Sequence, residues 1–178
     1  MMKVIGISGT LAGHKTSQMV YELIHAIKQE NQQIDTELID LKDYEIEFMR
    51  GFPLAYYNDD TQHVVKTIGK ADCIIIGTPI YQASIPGSLK NLMDLLPEHA
   101  FRDKIVGYMS TAGSEKHFLV AEYQLRPIIQ FLGGVVPSRN VFIPDSSFNE
   151  ENEIVDDRIK WRIVQFAKEL NKLLGGQS

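Results

Sequence analysis

Short, almost wholly apolar runs alternate along the chain with amphipathic stretches. Val4–Ser8 reads as a strand buried on both faces, and Val20, Leu23, Ile24 and Ile27 then recur at helical spacing over Thr16–Glu30. Ile34–Leu41 predicts a second strand. Residues 42–60 mix acidic, aromatic and Gly-Phe-Pro elements and read as a long irregular loop. A short helix, Thr61–Gly69, leads into Asp72-Cys73-Ile74-Ile75-Ile76-Gly77, the clearest buried strand of the chain. A helix is expected to open at Pro86, a residue favoured in the first turn, with Leu89, Leu92, Met93 and Leu96 as its apolar stripe. Lys104–Ser110 predicts a fourth strand and Ser114–Leu132 a fourth helix, stopped by Gly133-Gly134. Val135–Ile143 predicts a fifth strand. The last helix is placed from near Glu150, burying Ile159, Ile163, Phe166, Leu170 and Leu174 and ending at Gly175-Gly176.

Apolar strands separated by crossover helices imply a parallel sheet covered on both faces. Five βα units without an internal linker predict one α/β domain over residues 1–178, a three-layer sandwich with strand order 2-1-3-4-5. Ligands of such sheets sit at the carboxyl ends of the strands, near the β1/β3 switch point. Function is therefore sought in the loops after strands one, three and four.

Composition narrows the class. The 178 residues are 44% hydrophobic and 23% charged, with a formal net charge of -5. That balance argues against general binding to nucleic acid or an anionic membrane, both of which draw on excess Lys and Arg. One cysteine, Cys73, excludes an internal disulfide or a multi-cysteine metal centre and fits a reducing compartment. The first apolar run is too short for a signal peptide, and no stretch approaches the about 20 residues of a spanning helix. A cytoplasmic protein is expected.

The first loop, Ser8 to Ser17, combines small residues with the hydroxyls of Ser8, Thr10, Thr16 and Ser17, and feeds a helix N-terminus where free amides favour a phosphate. Lys15, and His14 when protonated, add positive charge. The order and spacing of a P-loop are absent, as is the three-glycine dinucleotide fingerprint. A polar turn with a helix cap is the other reading of these residues. The second loop runs from Gly77 to Gly87. A planar ring fits against Pro79, Ile80 and Tyr81, with Ser84 further along the turn; a packing role for Tyr81 is the alternative. In the third loop Thr111, Ala112 and Gly113 permit flat approach to a ring, while Ser114 has the makings of a helix cap. His99 and His117 lack partners at ligand spacing, so no metal site is assigned. Ser84 and Ser88 lack a nucleophile elbow and a His–acid partner, which argues against a hydrolase.

At these residues the sequence resembles the NAD(P)H-dependent FMN reductase family, whose fold is flavodoxin-like. The resemblance is carried by Thr78-Pro79-Ile80-Tyr81-Gln82-Ala83-Ser84-Ile85-Pro86-Gly87-Ser88-Leu89-Lys90-Asn91 and extends from the first strand to the fifth. Within the family, Leu92 to Ala100, Thr111 to Ser114, His117 to Leu119 and Tyr123 to Pro127 are similar to the reductases of two-component alkanesulfonate monooxygenase systems. The resemblance implies that the first loop holds the FMN phosphate, that Pro79 to Ser84 border the isoalloxazine, and that Thr111 to Gly113 flank its other edge. It implies NADPH or NADH as hydride donor and a flavin-dependent monooxygenase as recipient of reduced FMN. It also implies that Lys90 and Asp94 lie at the site rim and subunit contact. The apolar stripes of the Pro86–Leu96 helix and of the fourth helix suggest a homodimer or homotetramer with the flavin near the interface; cover for the sheet is the other reading of both stripes. Gly9 and Leu11 stand where the family pattern has Ser and Arg; Thr10, Lys15, Thr16 and Ser17 are the residues that compensate.

Pro127 removes one donor from its helix and strains the carbonyl of Tyr123, which predicts a kink or a π-bulge. By the resemblance, Tyr123 lies in such a bulge at the subunit interface, near a neighbour's flavin. Hydride transfer between nicotinamide and flavin belongs to the cofactors, so no catalytic side chain is assigned. Two other functions fit the residues: a flavoprotein with tightly bound FMN that reduces quinones, azo compounds or metal ions, and a flavodoxin-like electron carrier. A flavin-free scaffold on the same fold is a third. Arg102, Lys116 and Arg139 are the candidates for a clamp on a 2′-phosphate.

Overall fold

In the computed structural model, which describes residues 2–176, the buried strand Cys73–Pro79 (β3) lies at the centre of a five-stranded sheet. Lys3–Ser8 (β1) pairs with it on one side and carries Asp35–Asp40 (β2) beyond; Ile105–Ala112 (β4) and Val141–Pro144 (β5) follow on the other. All the pairings are parallel and the order is β2-β1-β3-β4-β5, as the alternation of elements predicts. The flavodoxin-like expectation stands.

Every residue of β3 is buried because helices cover both faces. Side chains alternate across the sheet: Ile74, Ile76, Val106 and Tyr108 enter one core, Cys73, Ile75, Ile105 and Met109 the other. The first core packs against Asp59–Gly69 (α2), Gly87–Leu95 (α3), Val120–Gln124 (α4) and Arg126–Phe131 (α5). The second packs against Lys15–Glu30 (α1) and Asp157–Gly175 (α6). Gly77 lets α1 come close: a Cβ there would stand 2.3 Å from Cγ2 of Val20. That contact draws the start of α1 up against the end of β3.

Four elements depart from the sequence expectations. The helix expected over Ser114–Leu132 begins as a 3₁₀ turn, Glu115–His117, and then breaks into α4 and α5 at Leu125. Pro127 falls in the first turn of α5, where its missing donor is tolerated, and no π segment occurs among the described residues. The fifth strand is Val141–Pro144, not Val135–Ile143. Val135 makes one isolated bridge to Ile105, and Pro137, which has no amide to donate, stands two residues on. The last helix begins at Asp157, capped by the Asp156 carboxylate, because Ile154 is held in a bridge to Phe148. Pro86 occupies the cap position ahead of α3. The loop expected over residues 42–60 holds short 3₁₀ turns at Leu41–Asp43 and Leu54–Tyr56 and gives way to α2 at Asp59; its irregular part is pinned, since Asn91 accepts from the Met49 amide at 2.9 Å and donates to the Glu47 carbonyl at 3.0 Å.

Candidate functional site

The carboxyl ends of β1, β3 and β4 carry the buried polar residues Ser8, Thr78, Ser110 and Thr111. Directly above them lies an open cavity of roughly 260 Å³. Its wall on one side is Ala12 to Thr16, with Gly13 in a left-handed conformation at φ +76. His14 precedes α1 without making a side-chain cap. The first-turn amides of Lys15, Thr16 and Ser17 have no intrahelical partner, and the positive end of the helix dipole lies at this wall. Pro79, Ile80 and Tyr81 form a second wall, and Thr111, Ala112 and Gly113 a third.

Three loops predicted separately from the sequence thus meet in one cavity. His14, Lys15, Thr16, Pro79, Ile80, Tyr81, Thr111, Ala112 and Gly113 all line it. Ser8 and Thr10 are buried beneath; the Ser8 hydroxyl has no hydrogen-bond partner, whereas Thr10 is hydrogen-bonded to Tyr81 at 3.1 Å. Ser17 donates its hydroxyl to the His14 carbonyl at 3.0 Å and so braces the turn. Ser84 closes the turn after Tyr81 by two backbone hydrogen bonds of 2.9 Å and donates its hydroxyl to Gln124 at 3.4 Å. Gln82 and Ala83 between them both have positive φ, 48° and 59°. Two such residues in succession are costly for side chains with a Cβ, and strain of this kind gathers at functional sites.

Asp145 and Asn152 also line the cavity and carry no sequence motif. Asp145 follows the last residue of β5, so extending the rule that ligands meet strand carboxyl ends to the fifth strand is the signal that would have found it. Its Oδ2 lies 3.3 Å from Nζ of Lys15, and its Oδ1 accepts from the Thr111 hydroxyl at 3.2 Å. Lys42 adds a second cation near the rim, paired to Asp40 at 2.8 Å and 3.3 Å from Nδ1 of His14.

Lys90, Asp94 and Tyr123 lie elsewhere. Lys90 and Asp94 form an ion pair with each other at 2.7 Å and line a groove of roughly 560 Å³ with Met93, Leu96, Pro127 and Phe131. Tyr123 is 71% exposed on α4. Behind the helix break, the buried Tyr108 hydroxyl donates to Glu122, which Arg126 also engages, and Asn140 donates to both Tyr108 and Glu122. The Tyr108 hydrogen bond, with Arg126 beside it, holds the Glu122 carboxyl below the usual carboxylate range. Burial, and then Glu122, push the Tyr108 phenol up.

The donor set fits a phosphorylated planar ligand: uncapped amides beside a lysine, a flat apolar wall, and an orphaned hydroxyl below. Comparison with known proteins agrees. The family model of NADPH-dependent FMN reductases matches residues 2–148. An NAD(P)H-dependent FAD/FMN reductase of Geobacillus thermodenitrificans is 44% identical over 169 residues, covering 95% of this chain and 91% of its own. An FMN reductase (NADPH) of Pseudomonas aeruginosa is 31% identical over 177 residues, covering 99% and 94%. In fold, the chain is similar to a solved NADH:FMN oxidoreductase (TM-score 0.83, 23% identity, 97% and 90% covered) and to a Bacillus cereus flavodoxin (TM-score 0.69, 16% identity, 96% and 97% covered). With the family model spanning most of the chain and two reductases similar to it over nearly their full length, the chain belongs to the NADPH-dependent FMN reductase family.

Proposed function

We propose that this NAD(P)H:FMN oxidoreductase binds FMN in the cavity above β1, β3 and β4 as an exchangeable substrate, and passes the reduced flavin to a partner monooxygenase. The observation that carries the reading is the meeting of the uncapped α1 terminus with the Pro79–Tyr81 wall in one open cavity. The amides of Lys15 to Ser17, with Lys15 and Thr16, take the phosphate; Ser8, Thr10 and His14 shape the floor and rim below it. Pro79, Ile80 and Tyr81 support one side of the ring and Thr111 to Gly113 its polar edge, with Ser84 fixing the turn. FMN supplies the hydride-accepting ring and NADPH or NADH the hydride. The protein contributes orientation and main-chain donors, and no side chain is assigned as acid or base.

The openness of the cavity supports exchange, since the ligand is not enclosed. No helix among the described residues is long and apolar enough to cross a membrane. The reading places one domain over residues 1–178 in the cytoplasm, with Met1, Gln177 and Ser178 outside the described residues. The groove between α3 and α5, with Lys90 and Asp94 on its rim and Phe131 75% exposed, is the face assigned to a homodimer or homotetramer; Tyr123 lies on the adjoining helix. Ultrafiltration of FMN-loaded protein tests the exchange: flavin should pass freely into the filtrate, and flavin retained with the protein would overturn it.

A further inference from the structure

Phosphate cradles gain affinity from net positive charge, and here the one lysine in the cavity wall is already engaged. Nζ of Lys15 lies 3.3 Å from Oδ2 of Asp145 and 5.4 Å from the centre of the Phe148 ring. Asp145 is in turn held by the Thr111 hydroxyl at 3.2 Å, and both Asp145 and Thr111 line the same cavity as Lys15. The second nearby cation, Lys42, is paired to Asp40 at 2.8 Å. A dianionic phosphate entering this cavity meets cations whose charge is matched by carboxylates, one of which sits inside the site.

We infer that Asp145 is an affinity-setting residue that competes with the phosphate of FMN for Lys15 and so weakens the hold on the flavin. The inference rests on the reading that this cavity holds FMN. The carboxylate sits at the ligand's expense: a neutral side chain of the same shape would keep the Thr111 contact while leaving Lys15 free. Half-exposed ion pairs contribute little to stability, so an Asp–Lys pair built into a ligand wall is weakly explained by folding alone. Its effect falls on the phosphate rather than on the ring, which separates it from a general loosening of the pocket.

The test is equilibrium binding of FMN and of riboflavin, its phosphate-free counterpart, followed by quenching of flavin fluorescence in the absence of NAD(P)H. Asp145→Asn is expected to tighten FMN about tenfold at low salt and to leave riboflavin unchanged. The gain should shrink as ionic strength rises and should collapse in Lys15→Met/Asp145→Asn. Asp145→Glu, which keeps the charge, should bind FMN like the wild type. Unchanged or weaker FMN binding by Asp145→Asn, or an equal shift for both flavins, would overturn the inference while leaving the flavin site intact. Wild-type protein that binds neither flavin would overturn the site itself.

Discussion

The Tyr81 hydroxyl and Oγ1 of Thr10 share a hydrogen bond of 3.1 Å, joining loops that lie 71 residues apart. Thr10 is buried and further bonded to the Ala12 amide at 3.2 Å, so the pair links the β3 wall of the cavity to the turn that leads into α1. The two walls of the cavity, which we propose as phosphate cradle and ring support, are thus linked to each other. Tyr81→Phe keeps the ring and removes the link. FMN affinity should fall by about 0.5–1.5 kcal/mol, or roughly two- to tenfold, with little change in the unfolding midpoint. Fluorescence titration reads the first and urea denaturation the second.

Ala83 holds the other strained point of this wall, at φ 59° beside Gln82 at 48°. A left-handed residue with a Cβ costs about 1–2 kcal/mol, and glycine gives back about 0.5–1 kcal/mol of that in chain entropy. Ala83→Gly should therefore stabilise the fold by about 0.5–1 kcal/mol. The check is a higher urea midpoint at constant slope.

Glu122 ties α4 to β4 through the Tyr108 hydroxyl and to α5 through Arg126. Its pKa is lowered in the folded chain, so its contribution is complete above the unfolded value and is lost as pH falls through the folded one. Glu122→Gln should cost about 1–2 kcal/mol at neutral pH. The gap to the wild type should begin to narrow once pH falls below the unfolded carboxyl value of about 4.3, and keep narrowing as pH is lowered further. Denaturant titrations at several pH values follow it.

The legible parts of this chain were those decided locally. Ile74-Ile75-Ile76 can only be a strand sealed on both faces, and the small, hydroxyl-rich loops after β1, β3 and β4 announce a ligand edge. What misled was decided by neighbours. Val135 and Val136 are β-formers that find a single bridge before Pro137 ends the pairing. Glu150 and Glu151 have the charge of a first helical turn, yet Ile154 is committed to Phe148 and the helix waits for Asp156. Pro127 gave notice of a disturbance in its helix, but whether it would kink, bulge or break depended on packing around Leu125, which is fully buried. Asp145 and Asn152 reach the cavity only through the placement of β5 and the loop behind it, and no spacing along the chain encodes that.

Uptake and release of FMN at this cavity as a substrate is read by steady-state oxidation of NADPH and NADH. Protein stripped of flavin is assayed as free FMN is titrated in. A nearly colourless protein whose oxidation rate rises and saturates with added FMN is the expected result. A yellow protein that ignores added FMN, and turns over only when a quinone or azo dye is supplied, would contradict a substrate role for FMN.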